Sequence, residues 1–123
     1  MSADHDLSSF IRSTFRSVWS LELMLFLLKN REQAWTRAEL VTSLRGSESV
    51  VGHSLDALLV SGLIDVDQNG AARFLPAAPD LERQAQATAD LYARSPDAVR
   101  RMIVLSANAG IAAFADAFRL RKD

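Results

Sequence analysis

The segment Leu21 to Leu28 carries seven apolar side chains in eight residues, interrupted only by Glu22. On a helix with 3.6 residues per turn, Leu21, Leu23, Met24, Leu25, Phe26, Leu27 and Leu28 cover almost every side. A segment apolar all round has to be covered all round, which predicts the central core helix of the fold. The unbroken run Leu23–Leu28 lies between Glu22 and Lys29, far short of the ~20 apolar residues a bilayer span needs. No membrane contact is expected. A chain of 123 residues suffices for one sizeable core but not for two independent ones.

Local signals place further elements around that helix. It is expected to begin after Asp6, Ser8 or Ser9 and to run unbroken to about Asn30, with a sparsely apolar first half in Phe10, Ile11, Phe15, Val18 and Trp19. Thr36 and Glu39 have the spacing of a capping box, so a second helix starts there. Leu40, Val41 and Leu44 give it an apolar stripe, and Gly46 is expected to end it in the left-handed conformation. Ser47 or Ser49 can cap a third helix, in which Val51, Leu55, Leu58 and Leu59 recur at helical spacing before Gly62. Ile64 and Val66 then alternate with Asp65 and Asp67, Asn69-Gly70 tolerates positive φ, and Ala71 to Leu75 resumes an extended pattern. This predicts a β-hairpin.

Pro76 and Pro79 stop the hairpin, and Asp80 is placed to cap a helix lined by Leu81, Ala85, Thr88 and Tyr92. Ser95-Pro96 restarts the count as a cap followed by proline in the first helical position. Val99, Met102, Ile103, Ser106, Gly110, Phe114, Ala117 and Phe118 then follow a three-four spacing, with Asn108 to Gly110 able to break it. The expected organisation is a flexible N-terminus (1–9), a core module (10–75) and a C-terminal helical extension (76–123).

The order helix, helix, tight turn, helix, hairpin over Val18 to Leu75 resembles the winged helix-turn-helix superfamily, especially small bacterial regulators of MarR or PadR type. The most specific part is Leu55-Asp56-Ala57-Leu58-Leu59-Val60-Ser61-Gly62-Leu63-Ile64. It is similar to the superfamily's L-x-x-L-x-x-x-G-L-I, where the third helix passes into the first wing strand. Asn69-Gly70 resembles the wing tip, and Trp35 fits the short first strand. The resemblance implies a mainly α fold, a three-helix core with a β-hairpin wing, and either DNA binding or protein contact, since both occur on this fold.

Carried over residue by residue, the DNA-reading role falls on Ser47, Ser49, Gly52, His53 and Asp56 of the third helix. That face is poor in cations, and Glu48 and Asp56 repel phosphates unless one accepts from a cytosine amine. Arg37, Arg45 and Arg73, with Arg12 and Arg16 on the N-terminal helix, form a plausible phosphate-contacting set if they converge on one face. Fourteen Lys and Arg against fifteen Asp and Glu leave a net charge of −1, so no global excess of positive charge draws the chain to polyanions. Two classes stay open. One is a transcriptional regulator that binds duplex DNA as a homodimer; the other is a winged-helix module that docks on a protein partner.

Enzyme chemistry has no support in the sequence. There is no cysteine, which excludes thiol catalysis and thiolate metal sites. His5 and His53 stand apart with no second ligand at metal spacing, so neither metal nor cofactor is expected. Gly46-Ser47-Glu48-Ser49 lacks the spacing of a nucleophile elbow. Met1 to Leu7 has neither a basic start nor an apolar stretch, so a cytoplasmic protein is expected.

The last helix is unusual for its small residues: Ser106, Ala107, Ala109, Gly110, Ala112, Ala113, Ala115 and Ala117. Small side chains let helix axes approach closely, and Phe114 and Phe118 can then insert into a partner's groove. Phe10, Ile11 and Phe15 look surplus to what a ~60-residue core can cover. A homodimer interface through Phe10, Phe15, Ser106, Gly110, Phe114 and Phe118 is therefore expected.

Overall fold

A computed structural model describes residues 3–107. Six helices and one small antiparallel sheet make up this part of the chain. In order they are α1 (Ala3–Thr14), α2 (Val18–Lys29), α3 (Arg37–Leu44), α4 (Glu48–Val60), β1 (Ile64–Val66), β2 (Ala72–Phe74), α5 (Pro79–Arg94) and α6 (residues 96–107).

The expected single helix up to Asn30 is two helices. Ser17 adopts an extended conformation, φ −154° and ψ 160°, and caps α2 by accepting from the Ser20 amide at 3.2 Å. The Ser20 hydroxyl reaches back to the Ser17 amide, completing a reciprocal box. α1 in turn runs from Ala3, where a flexible terminus was expected. The break lets α1 leave the axis of α2 and pack on α5.

That packing corrects the view of Phe10 and Phe15 as surplus. Phe10, Ile11 and Phe15 are all buried in their own chain, Phe15 being 1% exposed. The two phenylalanines meet edge to face with centroids 5.9 Å apart, a favoured aromatic geometry. They belong to one hydrophobic cluster that also holds Ala85 of α5 and Val99 and Ile103 of α6. The core therefore continues across Pro76.

α2 occupies the centre, as its composition requires. Leu21, Leu23, Met24, Leu27 and Leu28 are buried, while Leu25 and Phe26 are half-buried. The helix packs on α4 along one side and on β2 along another. Arg31, just beyond it, sits over the Phe74 ring at 5.0 Å and pairs with both Glu82 oxygens at 3.2 Å. Tyr92 of α5 donates to Glu22 of α2.

The hairpin pairs Ile64 with Phe74, Asp65 with Arg73 and Val66 with Ala72. Its tip is organised by Asp67, whose Oδ1 accepts from the Asn69 and Ala71 amides, both at 2.9 Å. Gly70 takes the positive φ of 82°, as the last residue of a three-residue hairpin loop. Trp35 exchanges two backbone hydrogen bonds of 2.7 Å with Ala72. β2 is thus bonded on both edges, to β1 and to the segment between α2 and α3. The N-terminus of α5 departs from expectation: Ala78 occupies the cap position without a side-chain bond and Pro79 opens the helix, so Asp80 lies in its first turn.

Candidate nucleic-acid interface

α3 and α4 are two short helices joined by a tight turn. Thr36 opens α3 with a full capping box: its hydroxyl accepts from the Glu39 amide at 3.2 Å and Glu39 Oε1 accepts from the Thr36 amide at 2.9 Å. Ser47 caps α4 by accepting from the Val50 amide at 3.1 Å. Between them the left-handed residue is Arg45, φ 56°, where Gly46 had been expected to take that role. Gly46 is needed for space instead. A Cβ there would stand 3.0 Å from Cη2 of the Trp19 ring.

α4 buries Val51, Leu55 and Leu58 against the core. Ser49, His53, Asp56 and Val60, which share the opposite stripe, are exposed. Ser49 Oγ lies 3.4 Å from His53 Nδ1. Gly52, expected on the outer face, is buried, because the Arg37 side chain of α3 lies across it. A Cβ on Gly52 would come within 3.1 Å of Arg37 Nη1. On the other shoulder of α4, Arg16, Trp19 and Ser20 form a cleft with Val50, His53, Ser54 and Ala57. Helical geometry puts Gly52 and the Val50-Ser54-Ala57 row on opposite sides of the Ser49-His53-Asp56 stripe. The exposed stripe of α4 is therefore flanked by Arg37 on one side and Arg16 on the other.

The remaining expected residues divide. Arg45 and Ser47 sit in the turn at the start of α4. Arg73 lies on β2, opposite Asp65 in the ladder, and donates to the Glu32 carbonyl at 3.4 Å. Arg12 is elsewhere, in a hollow with Arg101, Met102 and Leu105. Ser106 donates to the Arg12 carbonyl at 3.4 Å, a contact within the chain. Gly110, Phe114 and Phe118 lie outside the described residues.

Carboxylates temper the surface charge unequally. Asp67 is engaged in the hairpin tip, whereas Glu48 and Asp56 are exposed on α4. Among the described residues the ion pairs join Arg31 to Glu82, Arg83 to Asp80 and Arg100 to Asp97. Arg16, Arg37, Arg45 and Arg73 take part in none of them. Trp19 and Ser54, which share the cleft with His53, carried no sequence signal of their own; Trp19 is a core-type residue and Ser54 one serine among many.

Among the described residues no group of His, Asp and Glu is arranged to hold a metal ion, and no helix is long and apolar enough to cross a membrane. Comparison of the chain with protein-family models, with curated proteins and with solved structures gives no match.

Proposed function

We propose that the chain is a winged helix-turn-helix regulator of transcription that binds duplex DNA in the cytoplasm as a homodimer. In this reading α4 enters the major groove and the hairpin lies along the backbone. The observation that carries it is the uncommitted state of Arg16 and Arg37 on either shoulder of the exposed stripe of α4. Neither forms an ion pair among the described residues, a state they share with Arg12, Arg45, Arg73, Arg94 and Arg101; their place beside α4 sets the two apart. The double pairing of Ala72 with Val66 and Trp35 supports the wing, because it anchors the hairpin to the segment that precedes α3.

A second reading, a winged-helix module docking on a protein, is favoured by a separate observation. Val60, 89% exposed, and Leu59, 45% exposed, close α4 beside the acidic Asp56, and an apolar patch with a carboxylate suits a protein surface better than a phosphate backbone. Binding to genomic DNA fragments at two salt concentrations separates the readings. Phosphate contacts lose affinity steeply as salt rises, because released counterions lose their entropic advantage. Steeply salt-dependent binding is the regulator's expected result; no binding even at low salt rejects it in favour of the docking module.

A further inference from the structure

α4 contains no Arg, Lys, Asn or Gln, so it lacks the side chains that commonly read guanine and adenine bidentately in the major groove. The stripe that would face the bases offers three exposed polar groups instead: the Ser49 hydroxyl, the His53 ring and the Asp56 carboxylate. The two acids of the helix differ in what their own chain explains. Glu48 stands in the first turn, where the helix dipole favours negative charge. Asp56 lies about two turns further on, exposed and in no ion pair among the described residues.

A carboxylate can only accept. Among the major-groove edges the amines are cytosine N4 and adenine N6, whereas guanine O6 and N7 and thymine O4 are acceptors that repel it. Adenine also sets its N7 acceptor beside the amine, against the second carboxylate oxygen, where cytosine has a C–H. Asp56 therefore favours cytosine. His53 precedes it by ~4.5 Å along the helix axis, close to the ~3.4 Å rise of one base pair. His53 Nδ1 lies 3.4 Å from Ser49 Oγ, which leaves Nε2 to meet a base. When the Ser49 hydroxyl donates to Nδ1, the ring proton sits on Nε2, and the stripe presents a donor next to an acceptor. A G·C pair presents the complement, guanine O6 beside the cytosine amine.

We propose that α4 selects its duplex by a G·C pair in each half-site, with Asp56 accepting from cytosine N4 and His53 Nε2 donating to guanine O6 or N7. Ser49 is a positioning residue that fixes the ring and tautomer of His53. The proposal rests on the DNA-binding reading and gives the unpaired acid of α4 a purpose in it. Asp56 weakens binding to every sequence through repulsion of phosphates, and weakens it least where a cytosine amine meets the carboxylate. Specificity thus comes from a penalty on wrong bases, set against the sequence-independent attraction of Arg16 and Arg37.

The test is selection from a library of random-sequence duplexes by the full chain at low salt, followed by anisotropy titration of the enriched duplex and its single-base-pair variants. The wild type is expected to enrich a G·C pair in each half-site and to lose affinity by about tenfold or more when A·T replaces it. Asp56→Asn is the decisive variant. An amide can accept from adenine N6 and donate to adenine N7, so the preferred base at that position is expected to move from cytosine to adenine. A merely structural role of Asp56 would lower affinity for all sequences alike. His53→Ala should lose the preference for guanine, and Ser49→Ala should narrow it by a smaller factor. All three positions are exposed, so unchanged melting temperatures are expected alongside. A chain that retains no duplex even at low salt rejects the regulator reading and this proposal with it. Salt-dependent binding that enriches no G·C pair, or a cytosine preference that Asp56→Asn leaves unchanged, overturns this proposal and leaves the regulator reading standing.

Discussion

The Tyr92 hydroxyl donates to Glu22 Oε1 at 2.5 Å, tying α5 to α2 across 70 residues of chain. Arg100 of α6 lies over the same ring at 5.3 Å, so three helices meet at one phenol. Partial burial, and then the hydrogen bond and negative charge of Glu22, raise the Tyr92 pKa above its ordinary 10.0. Arg100, by contrast, favours the ionised phenol.

The sign of the pH dependence follows. A group with a raised folded-state pKa contributes stability that is fully present below its unfolded pKa and is lost as pH climbs through the folded value. Tyr92→Phe should therefore lower stability by about 1 kcal/mol at neutral pH, the scale of one hydrogen bond. The gap between wild type and variant should hold steady below the ordinary phenol value, begin to narrow there, and close as pH passes the raised folded value. Chemical denaturation of both proteins along an alkaline pH series checks this; a constant gap would mean the phenol acts through packing alone.

Cutting the chain after Pro76 should abolish the fold. Phe10, Ile11 and Phe15 share a cluster with Ala85, Val99 and Ile103, so a fragment 1–76 leaves large apolar side chains of α1 without cover. A fragment that melts cooperatively near the full-length temperature would show that the core before Pro76 suffices.

The sequence was most legible where structure is set by neighbours. The Thr36–Glu39 box and the covered helix around Leu23–Leu28 depend on residues within a few positions and stand as read; Ser47 is the one of the two candidate serines that caps α4, and of Asn69-Gly70 only the glycine takes a positive φ. The break at Ser17 escaped because its box closes through Ser20, where the usual signature has Glu or Gln. With apolar residues on both sides, the helical period ran on unbroken. The packing of α1 on α5 joins segments more than 60 residues apart, which no local pattern encodes. The same holds at the site: Gly52 was read as outward because the helical period puts it there, and only the long Arg37 side chain of the preceding helix buries it.

Two leucines on α2 provide an internal control on the core. Leu27 is fully buried and Leu25 half-buried. An aspartate at 27 places an uncompensated charge in the centre of the cluster, whereas one at 25 can turn its carboxylate toward water. Leu27→Asp should unfold a domain whose whole stability is ~5–15 kcal/mol, and Leu25→Asp should leave a weakened but cooperative transition. Equal effects in thermal melts would contradict the burial difference.

Arg37→Ala and Arg12→Ala should separate on DNA. Arg37 crosses Gly52 beside the stripe of α4, while Arg12 sits in the hollow near Leu105. Loss of one phosphate contact lowers the salt slope of log K by about 1. That decrease is expected for Arg37→Ala with no change for Arg12→Ala, measured by fluorescence anisotropy over a salt series. The reverse order would move the DNA surface to the α1–α6 side.

Assembly can be probed on α6 without disturbing the core. Val104 and Leu105 are 48% and 58% exposed, while Val99 and Ile103 on the same helix are buried. One side of α6 thus completes the protomer and the other presents aliphatic side chains to the outside. If that outer side joins two copies, the paired substitution Val104→Asp with Leu105→Asp brings four carboxylates into one symmetric interface, where like charges repel and lose hydration. Sedimentation should then show a shift from dimer to monomer, with the melting temperature of dilute wild type and variant alike, because neither residue belongs to the buried cluster. A wild-type protein already monomeric at micromolar concentration removes the homodimer from the proposed function. A variant that stays dimeric places the interface on another face, and the DNA half-sites would then have to be spaced by a different symmetry axis.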